Sequence, residues 1–313
     1  MASDNKKSYR SIIIASKLVL LCAMAVFIVI KLKEQKSLDR FDFNEIGRQS
    51  QENWPLLIFL LLLMPVNWLL EAIKWQKLAK PVVPLSLAEA YKGVLSGLSM
   101  AFITPHGIGD YFGRILLIKE EGRTQLIGSI LLGRLMQLMA TLLFGGIGLY
   151  FLFGVQIAGL YYILVSCIMV SLLVIRGIQL GSDIHWIKKL QYHLGLISKY
   201  SLAQTSTILL LAIIRYAVFS LQFVLALSIF SDMPFKLNFA GTTWIFLAKS
   251  ILPTFNFLSD LGVREFSAVY FFDQFSVPLM PILVASFLIW MVNILLPTII
   301  GAPLIWKYKI KTK

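Results

Sequence analysis

Negative charge is scarce in this chain. Its 313 residues hold 16 Asp and Glu against 29 Lys and Arg, a formal net charge of +13, and charged residues of both signs make up only 14%. Soluble domains carry about a quarter. Long polar stretches are also missing: the longest runs only from Lys31 to Asn53, too short for a soluble catalytic domain. Cysteine is limited to Cys22 and Cys167, both inside apolar runs, which excludes a disulfide framework and a cysteine metal site. The three histidines, His106, His185 and His193, stand at no ligand spacing. Neither a metal nor a cofactor is expected. Without a basic soluble module, the positive balance points to anionic lipid headgroups and not to nucleic acid.

Apolar residues fill the space that charge leaves. The chain is 58% hydrophobic, its mean hydropathy is +0.78, and several runs exceed the roughly 18 residues that read as spanning helices. Lipid offers backbone groups no partners, so continuous apolar runs of this length are expected to be helical. The expected fold class is all-α: a polytopic helical membrane protein forming one integral membrane domain over residues 1–313. Clear spans are read at Ser11–Ile30, Pro55–Leu70, Leu126–Leu152, Ile157–Ile175, Ile208–Phe230 and Val277–Trp306. Lys6, Lys7 and Arg10 precede the first, as in a signal sequence. Charged residues from Lys31 to Lys36 follow where a cleavage site would stand, so an uncleaved helix is expected. Leu180–Leu202 has the mixed pattern of an interfacial helix.

Two further apolar segments, 85–118 and 237–272, are interrupted. Gly107-Ile108-Gly109-Asp110-Tyr111 and Gly262-Val263-Arg264-Glu265-Phe266 share a pattern of glycine, branched aliphatic, any residue, acid and aromatic, 155 positions apart. Pro105 and Pro253 precede them. Interrupted helices at matching places in two halves are the mark of a transporter site near the bilayer midplane. Each segment is either one kinked span or a re-entrant hairpin. Basic clusters at Lys74/Lys77/Lys80, Arg114/Lys119/Arg123, Arg176/Lys188/Lys189/Lys199 and Lys307–Lys313 share one side if both segments are hairpins. The five Lys/Arg between Lys31 and Asn53 then conflict with that topology. Three spans separate the motifs, so the halves form an inverted repeat.

Within the first segment, Ser86 and Glu89 make a capping box, and Gly93 and Gly97 permit close helix approach. Pro105, Gly107 and Gly109 break the helix, and Asp110 can cap the next one, whose N-terminus attracts anions. The plainer reading is a structural kink. In the second segment Ser259 or Asp260 can cap, and Arg264 beside Glu265 is either an ion pair or a substrate contact. His106 titrates near neutral pH or is a hydrogen-bonded turn residue. Arg134, Arg215 and Lys249 lie where an unpaired cation costs several kcal/mol; Lys17 is near enough to a helix end to snorkel. Either the arginines pair with Asp110, Asp260 or Glu265, or they line a cavity for a lipid phosphate.

Three places resemble the lysylphosphatidylglycerol synthase membrane-region family, whose members include the flippase domain of the multiple peptide resistance factor. They are Asn67 to Trp75, with its basic-Trp pair; Thr104 through Arg114, the Pro/Gly turn followed by an arginine; and Leu261 to Glu265, the Gly-x-Arg-Glu turn. The family's Pro-Gly-Gly is replaced here by Phe257-Leu258-Ser259-Asp260. The resemblance implies a flippase-like translocase in the bacterial inner membrane, moving an anionic or aminoacylated phospholipid or a polyprenyl-phosphate lipid. Both termini are then expected in the cytoplasm. Arg134, Arg215, Arg114, Arg264 and Lys249 are the expected phosphate contacts, oriented by Asp110 and Glu265 between the two Gly turns. No aminoacyl transfer is implied, and a homo-oligomer is possible. The rival readings are an integral-membrane glycosyltransferase using Asp39, Asp42 or Glu45, and a non-transporting partner subunit.

Overall fold

A computed structural model describes residues 21–36, 42–104, 107–116, 118, 123–177, 200–252 and 257–311, with 15 and 19 standing alone ahead of them. Among these residues the chain is all-helical, as expected of a polytopic membrane protein. We number the helices α1 (residues 21–34), α2 (Phe43–Glu52), α3 (Trp54–Ala79), α4 (Leu87–Ile103), α5 (Gly109–Leu116), α6 (Arg123–Gly177), α7 (Leu202–Phe230), α8 (Phe235–Ile251), α9 (Phe257–Asp273), α10 (Leu279–Trp290) and α11 (Leu296–Lys311). A π-helical turn, Met291–Leu295, joins the last two. Pro297 has no N–H to return to the Asn293 carbonyl, and the widened turn lets buried Asn293 accept from Asn67 Nδ2 at 3.1 Å.

Helix α6 has 55 residues, which if straight would run about 80 Å, more than twice the hydrocarbon thickness. It bends back at Gly154, whose φ of 80° is left-handed. Tyr161 Oη then donates to the Leu142 carbonyl at 2.7 Å, and Tyr162 packs on Gly146. The two spans expected around Phe153–Gln156 are therefore an antiparallel pair.

Both interrupted segments are hairpins. In the first, α4 (17 residues) runs in and α5 (8 residues) returns, with Gly113 seated directly on Gly97 and Gly93 under Arg114. The expected capping box at Ser86 and Glu89 starts α4. In the second, Gly241 lies against Phe272, and Trp244 Nε1 donates to the Ser267 carbonyl at 3.0 Å, so α9 returns along α8.

Contacts fix which end each hairpin opens toward. Tyr200, just before α7, bonds Ser129 at the start of α6 and the Leu78 carbonyl at the end of α3. That end carries exposed Lys77 and Lys80 and the start of α4. Asn53 meets the Ile229 carbonyl at the other end, where α8 begins, and Lys31 pairs with Asp273 at the close of α9 at 3.0 Å. The first hairpin thus opens toward the basic end and the second toward the opposite end, the arrangement of an inverted repeat.

The basic residues that conflicted with this topology are partly neutralised. Lys31 is also held by Glu34, and Arg48 by Glu45 and Glu52. Arg48 keeps the Glu45 carboxyl below the usual carboxylate range. The interfacial helix expected over Leu180–Leu202 lies largely outside the described residues.

Helix ends differ from the sequence reading. Helix α3 continues to Ala79, nine residues past the expected Leu70, and α7 starts at Leu202, ahead of the expected Ile208. An aromatic chain, Phe144 on Tyr216 and both Tyr216 and Phe219 on Phe246, with centroids 4.9 to 5.5 Å apart, locks α6, α7 and α8 together.

A methyl group at Gly113 would meet α4 backbone, whereas one at Gly159 meets nothing within 4 Å. Gly113→Ala is expected to destabilise the protein by about 1–3 kcal/mol, the cost of overpacking. Gly159→Ala is expected to be neutral or better. Thermal unfolding in detergent, followed by fluorescence, distinguishes them.

Candidate functional site

The site is built on one face of α3. Trp68, Glu71, Trp75 and Leu78 recur at three- and four-residue spacing, so they line up above one another. Glu71 and its neighbour Lys74 are 6% and 2% exposed. A charge this deep must be paired, and Glu71 is paired three times. Lys74 Nζ lies 2.7 Å from its Oε2, Arg114 Nη2 of α5 2.9 Å from its Oε1, and Arg215 Nε of α7 3.3 Å from Oε2.

Asp110 carries the network to the tip of the first hairpin. Its Oδ1 accepts from Arg114 Nε at 2.7 Å and its Oδ2 from Arg134 Nη2 at 3.1 Å. Arg134 also donates to the Gly107 carbonyl at 3.1 Å. Gly107 has φ +62°, a conformation glycine adopts without strain, and this aims its carbonyl at the arginine. Gln137 Oε1 accepts from Arg215 at 3.2 Å and from Lys74 at 3.4 Å. Each guanidinium also lies over a ring: Arg114 over Trp75 at 5.8 Å, Arg134 over Tyr111 at 4.4 Å and Arg215 over Trp68 at 5.2 Å. Such placement gives a desolvated cation part of the stabilisation that water would.

These groups surround a cavity of about 220 Å³. Its walls are apolar, from Leu78, Val94, Leu98, Ala101 and Ile130, with Gly133 packed against Leu78. Its polar surface is Lys74, Arg114, Arg134 and Arg215 against Glu71 and Asp110, four cations to two acids. Arg215 is the fourteenth residue of the 29-residue α7, about 20 Å along a helix of about 43 Å. The cavity therefore reaches from the basic end, where Leu78 lies, to the middle of α7.

Of the residues expected from sequence, Arg114, Arg134, Arg215, Asp110 and Gly107 converge here. Asp110 is inside the first turn of α5 and both its oxygens serve arginines, so it is not the cap; Thr104 Oγ1 accepts from the Gly109 N–H instead, at 2.8 Å. Pro105, His106 and Pro253 lie outside the described residues. Arg264, Lys249, Glu265 and Gly262 do not line this cavity. Lys249 is bound to Asp260 across the second hairpin at 3.0 Å. Arg264, 1% exposed, donates to Ser286 Oγ at 3.0 Å and lies 3.6 Å from Glu265. Asp260 and Ser259 fall inside α9, which begins at Phe257, so neither caps it. The cavity thus lies beside the first Gly turn, while Gly262, expected to mark a second turn, lies inside α9.

Sequence reasoning missed Glu71 and Lys74 as site residues because it ended the span at Leu70. The available signal was an acid and a base three apart, followed by Trp75, in the last third of a 26-residue helix.

Glu71 is the common partner of three cations, so its loss strands them. Glu71→Gln is expected to cost about 3–5 kcal/mol, the price of breaking a buried pair. Arg134→Gln, at a side chain 41% exposed, is expected to cost under about 1 kcal/mol. Monodisperse yield and thermal midpoint after detergent extraction report the difference.

No curated protein matches the chain. The family model described as the lysylphosphatidylglycerol synthase TM region matches residues 12–301, a stretch that contains both hairpins and every residue of the cavity. The protein therefore belongs to the lysylphosphatidylglycerol synthase TM region family, and its role is tied to membrane lipids.

Proposed function

We propose that the protein is a flippase-like lipid translocase that binds an anionic headgroup in the cavity of the first hairpin and passes it between leaflets. One observation carries this reading: an apolar-walled cavity whose charged groups are four cations and two acids, reaching to the middle of α7. Four ionisable groups would suffice for two neutral pairs. The two extra cations are arginine or lysine groups suited to phosphate oxygens, and arginine can grip two oxygens at once.

The hairpins supply a route. One opens to each end of the molecule, so small rotations of the two halves expose the cavity to one leaflet and then the other, as in transporters with inverted repeats. The lipid tails remain in the bilayer while the headgroup moves. By the positive-inside rule the end carrying Lys77 and Lys80 faces the cytoplasm, and the membrane is a bacterial inner membrane.

The enzyme reading has less support. Asp42 caps α2 by accepting from the Asn44 N–H at 2.8 Å, and Glu45 is held by Arg48 at 2.7 Å. Both acids are committed to local structure, which leaves neither poised to activate an acceptor. Asp39 lies outside the described residues.

In liposomes containing the purified chain, dithionite quenching of fluorescent anionic lipids is expected to reveal protein-dependent exchange between leaflets. Arg215→Ala is expected to slow it by at least tenfold, the loss of about 1.4 kcal/mol or more of headgroup binding. Exchange at the protein-free rate for every lipid tried would refute the proposal.

A further inference from the structure

The balance of charge in the cavity carries more than a preference for anions. Glu71 and Lys74 face it from α3, Asp110 and Arg114 from α5, Arg134 from α6 and Arg215 from α7, while α4 contributes only apolar residues. The sum is +2. One positive unit belongs to the buried set, since Arg114, Lys74 and Arg215 outnumber Glu71 and Asp110, all with side chains at most 16% exposed. The second is Arg134 at the mouth, 41% exposed. Arg134 donates to the Gly107 carbonyl and to Asp110 through Nη2.

Size adds an independent limit. The cavity, at about 220 Å³, is below the roughly 300–1,000 Å³ of sites for drug-sized ligands. It suits a compact group, not a phosphate extended by glycerol and an amino acid.

Building on the translocase reading, we propose that the preferred headgroup is a terminal phosphomonoester, which is dianionic above its second ionisation. A phosphodiester brings one negative charge and leaves one cation uncompensated. An aminoacylated headgroup brings its own ammonium into a site that already has too many cations. The shared chemistry is a lipid ending in –OPO3²⁻, whether on diacylglycerol or on a polyprenyl chain.

The test measures binding of four lipids to the detergent-solubilised protein by competition against one fluorescent lipid. They are phosphatidic acid, a polyprenyl monophosphate, phosphatidylglycerol and lysyl-phosphatidylglycerol, each at pH 5 and pH 8. A phosphomonoester passes from one to two negative charges near pH 6. Its affinity is therefore expected to rise on the order of tenfold between the two values, from the added Coulomb attraction. The diester, whose charge is constant, controls for titration of the protein's own groups and is expected to change little. Arg134→Gln removes one unit of excess charge and is expected to shrink the monoester's advantage over the diester. The two monoesters separate the sources: if both bind alike, recognition stops at the phosphate, and if one is favoured, its tail is read as well. Equal or tighter binding of phosphatidylglycerol or lysyl-phosphatidylglycerol at pH 8 overturns the inference but leaves translocation standing. Binding in the predicted order without any leaflet exchange in liposomes overturns the translocase reading and leaves the headgroup preference intact.

Discussion

A single carboxylate, that of Glu71, governs the arrangement of the first half. It is buried on a membrane-spanning helix, where an unpaired charge costs several kcal/mol. The cations that compensate it come from α3, α5 and α7, with one oxygen 2.9 Å from Arg114 and the other 2.7 Å from Lys74. Meeting this demand fixes the depth of α5, because Arg114 must reach Glu71, and the rotation of α7, because Arg215 must face α3. Ionic networks of this kind rarely add net stability, since apolar residues of equal volume often do as well. Two acids holding four cations is more than stability requires and points to a binding role.

The same network resolves the backbone problem of the hairpin. Non-helical backbone at membrane depth is tolerated only where it is enclosed by protein or lines a wet cavity. At the turn, Thr104 Oγ1 takes the Gly109 N–H and Arg134 takes the Gly107 carbonyl. A cation that satisfies a carbonyl and an acid at once joins the turn to α6. Close approach of glycines brings α5 near enough for this. Gly113 rests on Gly97, so α4 and α5 pack at backbone distance and the arginine of α5 projects toward α3.

Composition and pattern were enough to read the fold class, because continuous apolar runs of spanning length fit helices and not the alternating strands of a barrel. The first Gly turn was legible because glycine and proline inside an apolar run have few other uses, whereas Gly262, read as its counterpart, lies inside α9. What sequence concealed was pairing. Glu71 and Lys74 read as the end of a span because each charge alone is unfavourable in lipid, yet together with Arg114 and Arg215 they are tolerated and α3 continues to Ala79. Arg215 could be seen as buried, but its partner on another helix could not be identified without the packing of α7 against α3. Lys249 was read as a phosphate contact because its partner, Asp260, comes near it only when α9 folds back along α8.

The two hairpins match in topology but not in charge. Around the cavity beside the first hairpin the cations exceed the acids by two, with Arg215 of α7 among them. In the second, Lys249 with Asp260 and Arg264 with Glu265 sum to zero, and Arg264 is turned into the protein toward Ser286. An attraction for anions therefore resides beside one hairpin. Electrostatic forces fall quickly across a polar, partly hydrated interior, so an anion seated beside Arg134 and Arg215 draws little from the second hairpin. The two hairpins open to opposite ends, and the excess of cations lies beside the first hairpin, completed by Arg215 of α7.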